Sequence, residues 1–330
     1  MKKLPIGISN FELLIQRQNV YVDKTRLIYK MVDEGMFYFL SRPRRFGKSL
    51  LISTLRALFE GKRELFAGLW MENAPWEWEM HPVIVIDFNS IASDSPEALQ
   101  RDLIFRLKET AASASAQLHE PSLEGAFRGT ILALYRHYRQ KVVVLVDEYD
   151  RPLVSHLGKG EAELEIARAN REILRGFFGV LKDIDVSAVL RFVFITGISK
   201  FTQVSIFSGL NNLNDLTMHP GYGGLLGYTQ EELEIYFQEY IDRMAKTLKQ
   251  SPREVLDGLR EWYNGYRFTD VETHLYNPFS ILKALDRQQF GPYWFETATP
   301  AFLVNLIKER QYPIPEMEGL RVTPAQFTTY

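Results

Sequence analysis

Residues Phe37 to Leu58 read FYFLSRPRRFGKSLLISTLRAL, and the fold class follows from the order of their parts. Phe37-Tyr38-Phe39-Leu40 is a short apolar run of β-favouring residues, and Leu51, Leu55, Leu58 and Phe59 recur at helical spacing. Between the predicted strand and helix lies a basic loop ending in Gly47-Lys48-Ser49. In that setting backbone N–H groups and the helix N-terminus face an anion, the lysine reaches β and γ phosphates, and the hydroxyl ligates Mg²⁺. The pattern GxxxxGK[ST] asks for glycine at position 42, where the chain has Arg42, followed by Pro43, Arg44, Arg45 and Phe46. Without that glycine the loop must enter its turn differently. Arg42, Arg44 and Arg45 either add positive charge beside the phosphates or stay solvated. The expected nucleotide contacts are Arg42, Arg44, Arg45, Phe46, Gly47, Lys48, Ser49 and Leu50, with Ser49 also a metal ligand.

A second stretch supports the first. Val142-Val143-Val144-Leu145-Val146 is a continuous apolar run ending in Asp147-Glu148, as expected of a strand buried on both faces of a parallel sheet. Asp147 is positioned to support Mg²⁺ and Glu148 to polarise an attacking water. The plainer alternative is a strand that happens to end in two acids.

The chain has 330 residues, enough for one large α/β domain or a core domain with a smaller one. Hydrophobic residues make up 46% and charged residues 24%, the balance of an ordinary globular protein. Net charge is −2 and the pI about 6.4, so no global basic field points to nucleic acid. With no cysteine, disulfides, thiolate metal sites and a cysteine nucleophile are excluded. His81, His119, His137, His156, His219 and His274 form no pair at metal spacing, and no Ser/His/Asp set stands out. The N-terminus has no apolar h-region and no run reaches transmembrane length, so a cytoplasmic location is the default expectation.

Taken in order, Tyr21 to Thr25 suggests an extended entry to a short helix over Lys24–Val32. Asp23 and Lys24 are either nucleotide neighbours or, the favoured reading, a solvated turn. Trp70, Pro75, Trp76 and Trp78 read as local core, and Val83 to Phe88 as a second buried strand whose Asp87 caps the next loop. Helices are expected over 97–108, 123–139 and 161–182, with the small-residue linker AASASAQ between the first two. Arg191 to Gly197 is a further buried strand; Thr196, backed by Ser199 and Lys200, either senses a γ phosphate or is an ordinary strand end. Leu216 to Met218 suggests a short strand. Gly221, Gly223, Gly224 and Gly227 then mark a boundary, dividing the chain into 1–222 and 223–330. Beyond it, Thr229 and Glu232 form a capping box for an amphipathic helix to Leu248. A helix over 253–263, a possible strand at Tyr266–Phe268, a helix from Tyr276-Asn277-Pro278 to Leu285, and a stretch from Tyr293 that turns helical by Ile307 follow.

With these parts placed, the chain resembles the bacterial and archaeal AAA-ATPase-like family, a P-loop group whose members commonly carry a PD-(D/E)xK nuclease-like domain after the ATPase portion. The residues that carry the resemblance are YVDKT (21–25), RPRRFGKS (42–49), DEYD (147–150), TGISKF (196–201), YNGY (263–266) and YNP (276–278). They span nearly the whole chain, and RPRRFGKS with DEYD is far more specific than either generic motif. The resemblance implies that Arg42 for glycine is the family's habit. It implies a mostly parallel sheet sandwiched by helices, with the 191–196 strand between those at 37–40 and 142–146, and a smaller helical lid-like domain. Nothing in 304–330 resembles a nuclease core, and Glu60-Gly61-Lys62 is a chance ExK triplet. Either the chain is cut short or this member lacks that domain, and nuclease activity is not carried over.

Three functional classes follow. The leading one is an ATP-binding, Mg²⁺-dependent NTPase with Glu148 and Thr196 catalytic, Ser49 and Asp147 on the metal, and Arg151, Arg267 or a neighbouring subunit supplying an arginine finger. The second is a nucleotide-gated binding module with little turnover, acting through a protein partner or homo-oligomer. The third, an added nucleic-acid role, rests on the Arg42–Arg45 cluster and the aromatic C-terminal part.

Overall fold

The structure, a computed structural model, describes residues 1–198, 206, 207, 210, 212–271 and 273–294. In chain order the N-terminal elements are α1 (Phe11–Gln16), α2 (Thr25–Glu34), β1 (Phe37–Ser41) and α3 (Lys48–Phe59). The middle of the chain carries β2 (Val83–Asp87), α4 (Pro96–Ala112), α5 (Leu123–Tyr138), β3 (Val142–Asp147), α6 (Arg151–Val154), α7 (Glu161–Gly179), α8 (Ile184–Ser187) and β4 (Leu190–Gly197). A two-residue strand β5 (Asn214–Asp215) leads to α9 (Gln230–Leu248), α10 (Pro252–Tyr263) and α11 (Pro278–Arg287). The described residues group into two compact units, one from 1–80 with 215–294 and the other from 81–214.

The second unit is built on a parallel sheet with β3 in the middle. Val83 to Asp87 lie in register with Val143 to Asp147, and Val144 to Val146 with Val193 to Ile195. All six residues of β3 are buried, which is why its sequence is an unbroken apolar run rather than an alternating one. β2 departs from the expectation of a fully buried strand: Ile84 and Ile86 face inward while Val85 is exposed, because this strand pairs with β3 and leaves one face to solvent. Helices α4, α5 and α7 pack against one another. Leu99, Leu103 and Leu107 of α4, Phe127 and Ile131 of α5, and Leu174, Phe177 and Phe178 of α7 form their buried stripes. The helix expected to reach Lys182 ends at Gly179 and tightens into a 3₁₀ turn.

The first unit has a different core. Val20 and Val22, from the extended entry, pack with Leu233, Phe237, Ile241 and Met244 of α9, Val255 and Leu259 of α10, and Ile281 and Leu285 of α11. Both Thr229–Glu232 and Ser251–Glu254 close reciprocal capping boxes, the second with Pro252 in the first turn. The strand expected at Leu216–Met218 forms two residues earlier, as β5; Leu216 N–H still donates to the Phe39 carbonyl at 2.8 Å. Tyr266 to Phe268 does not extend into a strand: Tyr266 makes a single antiparallel bridge with Leu275.

The Asp23-Lys24 turn is not solvated. Lys24 Nζ lies 2.6 Å from both Glu232 oxygens, with 11% of the lysine side chain exposed, and Asp23 accepts from the Thr25 and Trp70 N–H groups. Burial lowers the Lys24 pKa and the Glu232 charge opposes that shift. Here an ion pair joins the entry segment to α9, and losing one member leaves the other without its counter-charge. Lys24→Ala should therefore lower stability by about 3 kcal/mol, read as a fall in the urea midpoint.

Candidate functional site

In the first unit, β1 delivers the chain into a loop that turns at two left-handed residues, Arg45 (φ 68) and Gly47 (φ 95). Position 42 is not among them, which explains how the loop dispenses with a glycine there. Gly47 is required by its backbone, since an added Cβ would meet only Leu226 at 3.9 Å. α3 starts at Lys48; its N-cap, Gly47, has no side chain to cap it and its first turn carries no acid. Lys48 is 5% exposed and curls back on the loop, its Nζ donating to the carbonyls of Arg42 at 3.0 Å and Pro43 at 3.1 Å. Ser49 and Leu50 are half-buried on the same first turn.

Arg42 is neither solvated nor turned outward. It is 1% exposed, with Nη1 donating to the carbonyls of Ser41 at 2.9 Å and Thr217 at 2.7 Å, and its guanidinium stands 4.1 Å from the Phe268 ring centre. Burial lowers its pKa to about 10, against the opposing pull of Asp215. Phe46 is also interior, edge-on to Tyr266 and Phe268. Of the basic cluster, Arg44 is half-buried and Arg45 exposed over Phe279, so the surface charge available to nucleic acid is smaller than the sequence suggests.

In the second unit the acidic strand end and the β4 end lie side by side. Val146 pairs with Ile195, bringing Asp147 and Thr196 together at the carboxyl edge where α/β sheets place their ligands. Asp147 is 4% exposed and Thr196 wholly buried; Glu148 is half-buried in a left-handed conformation (φ 52). Tyr149 N–H donates to the Thr196 carbonyl at 3.1 Å, and the buried Asp150 carboxylate accepts from Ile198 N–H at 3.0 Å. Ser199 and Lys200 lie outside the described residues. Asp87 caps the turn after β2 as expected, accepting from Asn89 N–H at 2.9 Å.

Two features beside these ends have no signal in spacing or composition. The first is Gly197, whose Cβ would lie 2.5 Å from the Tyr149 ring and 2.7 Å from Asp150 Oδ1. The second is a polar cleft of about 530 Å³ between the 89–94 loop and the start of α7, lined also by Arg151, Ser155, His156, Lys159 and Glu163. His156 links its walls, 2.6 Å from a Glu163 oxygen and 2.8 Å from the Ser93 carbonyl. Arg151, a candidate arginine finger, donates to Asn89 at 2.9 Å, and Arg267 is exposed.

Gly197→Ala is expected to lose about 2 kcal/mol in chemical denaturation, because the clash falls on packed groups that cannot retreat. The Glu163 carboxyl is held below its ordinary 4.5 by the hydrogen bond from His156. The unfolded chain binds that proton more readily, so the stability it adds is present above pH 4.5 and fades as pH falls through the lowered value. Unfolding midpoints measured between neutral pH and pH 3 should fall less for Glu163→Gln than for the wild type.

A family model described as a predicted AAA-ATPase, AAA-ATPase-like, matches residues 5–207. A protein of Azotobacter chroococcum mcd 1, described as an uncharacterized protein in the vnfD 5′ region, is 38% identical over 333 aligned residues. That alignment covers 100% of this chain and 60% of the relative, so the chain spans well under two thirds of that protein's length. No solved structure matches. The family model covers more than half of the chain, and the chain belongs to the AAA-ATPase-like family.

Proposed function

We propose that the protein binds ATP through the Arg42–Leu50 loop and hydrolyses it with Mg²⁺, using the reaction to change the conformation of its helical C-terminal segment. The observation that carries this is Lys48: its ammonium is nearly buried, fixed by the carbonyls of Arg42 and Pro43, at the uncapped start of a helix. A lysine ammonium beside the first N–H groups of a helix suits a phosphate.

The donors present suit Mg²⁺, a hard cation that takes oxygen ligands: the Ser49 hydroxyl and the Asp147 carboxylate would hold it. The ion would supply Lewis acidity toward the phosphate oxygens. The chain's own groups do the rest. Lys48 and the first N–H groups of α3 bind and orient the phosphates, Glu148 accepts a proton from water, and Thr196 responds to the terminal phosphate. The left-handed backbone at Glu148 turns the chain off the strand at the residue assigned as base. Residues 230–287 share a unit with the loop, which gives a loop rearrangement a short path to the helices. Among the described residues no helix is long and apolar enough to cross a membrane.

Calorimetric titration with Mg·ATP should show Lys48→Ala binding roughly tenfold or more weakly than wild type. Glu148→Gln should bind within about twofold of wild type yet release phosphate roughly a hundredfold more slowly. Equal binding by Lys48→Ala would sink the site. Binding without any phosphate release, in wild type and Glu148→Gln alike, would leave a nucleotide-gated module in place of an ATPase.

A further inference from the structure

Arg42 occupies the place of the first loop glycine without taking over its conformational task, because the left-handed positions are Arg45 and Gly47. What Arg42 supplies is therefore contact. Its carbonyl accepts from Lys48 Nζ, while its guanidinium reaches away from Lys48, to the Thr217 carbonyl and the face of Phe268. Nε and Nη2 are buried and have no hydrogen-bond partner among the described residues. A guanidinium so placed is compensated by two carbonyls, one aromatic face and the charge of Asp215, so that face is one of few contacts holding it. The same ring meets Phe46 edge-on at 5.3 Å, with Tyr266 on it at 4.7 Å. Ser41 N–H, one residue before the loop, donates to Thr217 Oγ1 at 3.0 Å. Three points of the segment, 41, 42 and 46, are thus pinned by residues 217–268 of the same unit.

We infer that Arg42, Phe268 and Thr217 form a latch by which the segment after residue 215 sets the shape of the phosphate loop, and so its affinity for a nucleoside triphosphate. In this arrangement Arg42 and Phe268 are positioning residues. Arg42 fixes the carbonyl that Lys48 rests on, and Phe268 fixes Arg42. Movement of the 263–268 turn would reach the loop through one cation–π contact and one carbonyl. The ligand in this inference rests on the ATP-binding reading above, whereas the latch itself does not.

The test uses the full chain and two readouts: equilibrium binding of Mg·ATP by calorimetry, and amide hydrogen exchange over residues 42–50 without nucleotide. Arg42→Gly restores the generic loop sequence, yet it should weaken binding roughly tenfold and speed exchange across the loop. Phe268→Leu should do the same, and Phe268→Tyr should keep affinity within about twofold of wild type because the ring face is retained. The double variant should bind no more weakly than Arg42→Gly alone, since in the latch Phe268 acts on the loop through Arg42. Arg42→Gly binding as tightly as wild type, or Phe268→Leu leaving loop exchange unchanged, overturns the latch. Thermal midpoints separate a folded variant from an unfolded one, and Phe268→Tyr keeps the comparison valid if Phe268→Leu does not fold. If the wild type binds no nucleotide, the function proposed above fails and the exchange measurements alone decide the latch.

Discussion

A nearly buried ammonium resting on two carbonyls of its own loop is the interaction around which the first unit is arranged. A lysine loses hydration when it is enclosed, and Lys48 recovers part of it from the carbonyls of Arg42 and Pro43. The backbone has to bend sharply to present those carbonyls, and Arg45 and Gly47 provide the bend in left-handed conformations. Arg45 accepts a mild backbone penalty that glycine would avoid, and its exposed side chain then lies over Phe279.

The second unit meets a different demand. Three parallel strands end together, and the chain must leave each edge without stranding its polar groups. Asp87 answers this with its own cap on Asn89, and Asp150 with its bond to Ile198 N–H. Because Asp150 and Tyr149 lie against the backbone at Gly197, no side chain fits there. Asp147 and Thr196 sit between these tied points, so neither depends on a loop for its position.

What was legible in the sequence was what depends on hydrophobic period and local turn chemistry. Val142 to Val146 announced a buried strand because nothing polar interrupts it, and the Thr229 capping box announced α9 by residue type alone. The misses share a cause, since each depends on a partner distant in the chain. Lys24 looked solvated until Glu232, 208 residues away, closed on it, and Arg42, left open between a phosphate neighbour and a solvated charge, is held by Thr217, 175 residues away. Charge type predicts exposure only when no distant counterpart exists. Tyr266 to Phe268 has a strand's residue types, but aromatic side chains also suit a platform under a cation, and the local pattern is the same for both. For the site, residue types identified the loop and the strand ends. The direction of the Arg42 side chain could not be read, because glycine and arginine are interchangeable there only once the left-handed duty falls elsewhere.

That displacement of duty has a wider consequence. In a loop whose first position is glycine, nothing extends from it, and the loop's shape is set by its own hydrogen bonds. Replacing that hydrogen atom with a long cationic side chain, while leaving φ negative, couples the loop to whatever the guanidinium reaches. Arginine suits this better than lysine: one nitrogen can hold two carbonyls while the guanidinium carbon stands over a ring, as Nη1 and Phe268 show. The orphaned Nε and Nη2 mark the limit of the arrangement, since a fully satisfied guanidinium would hold the loop more tightly but leave it less able to respond. A loop held by an incompletely satisfied cation can be both preformed and adjustable from elsewhere in its unit.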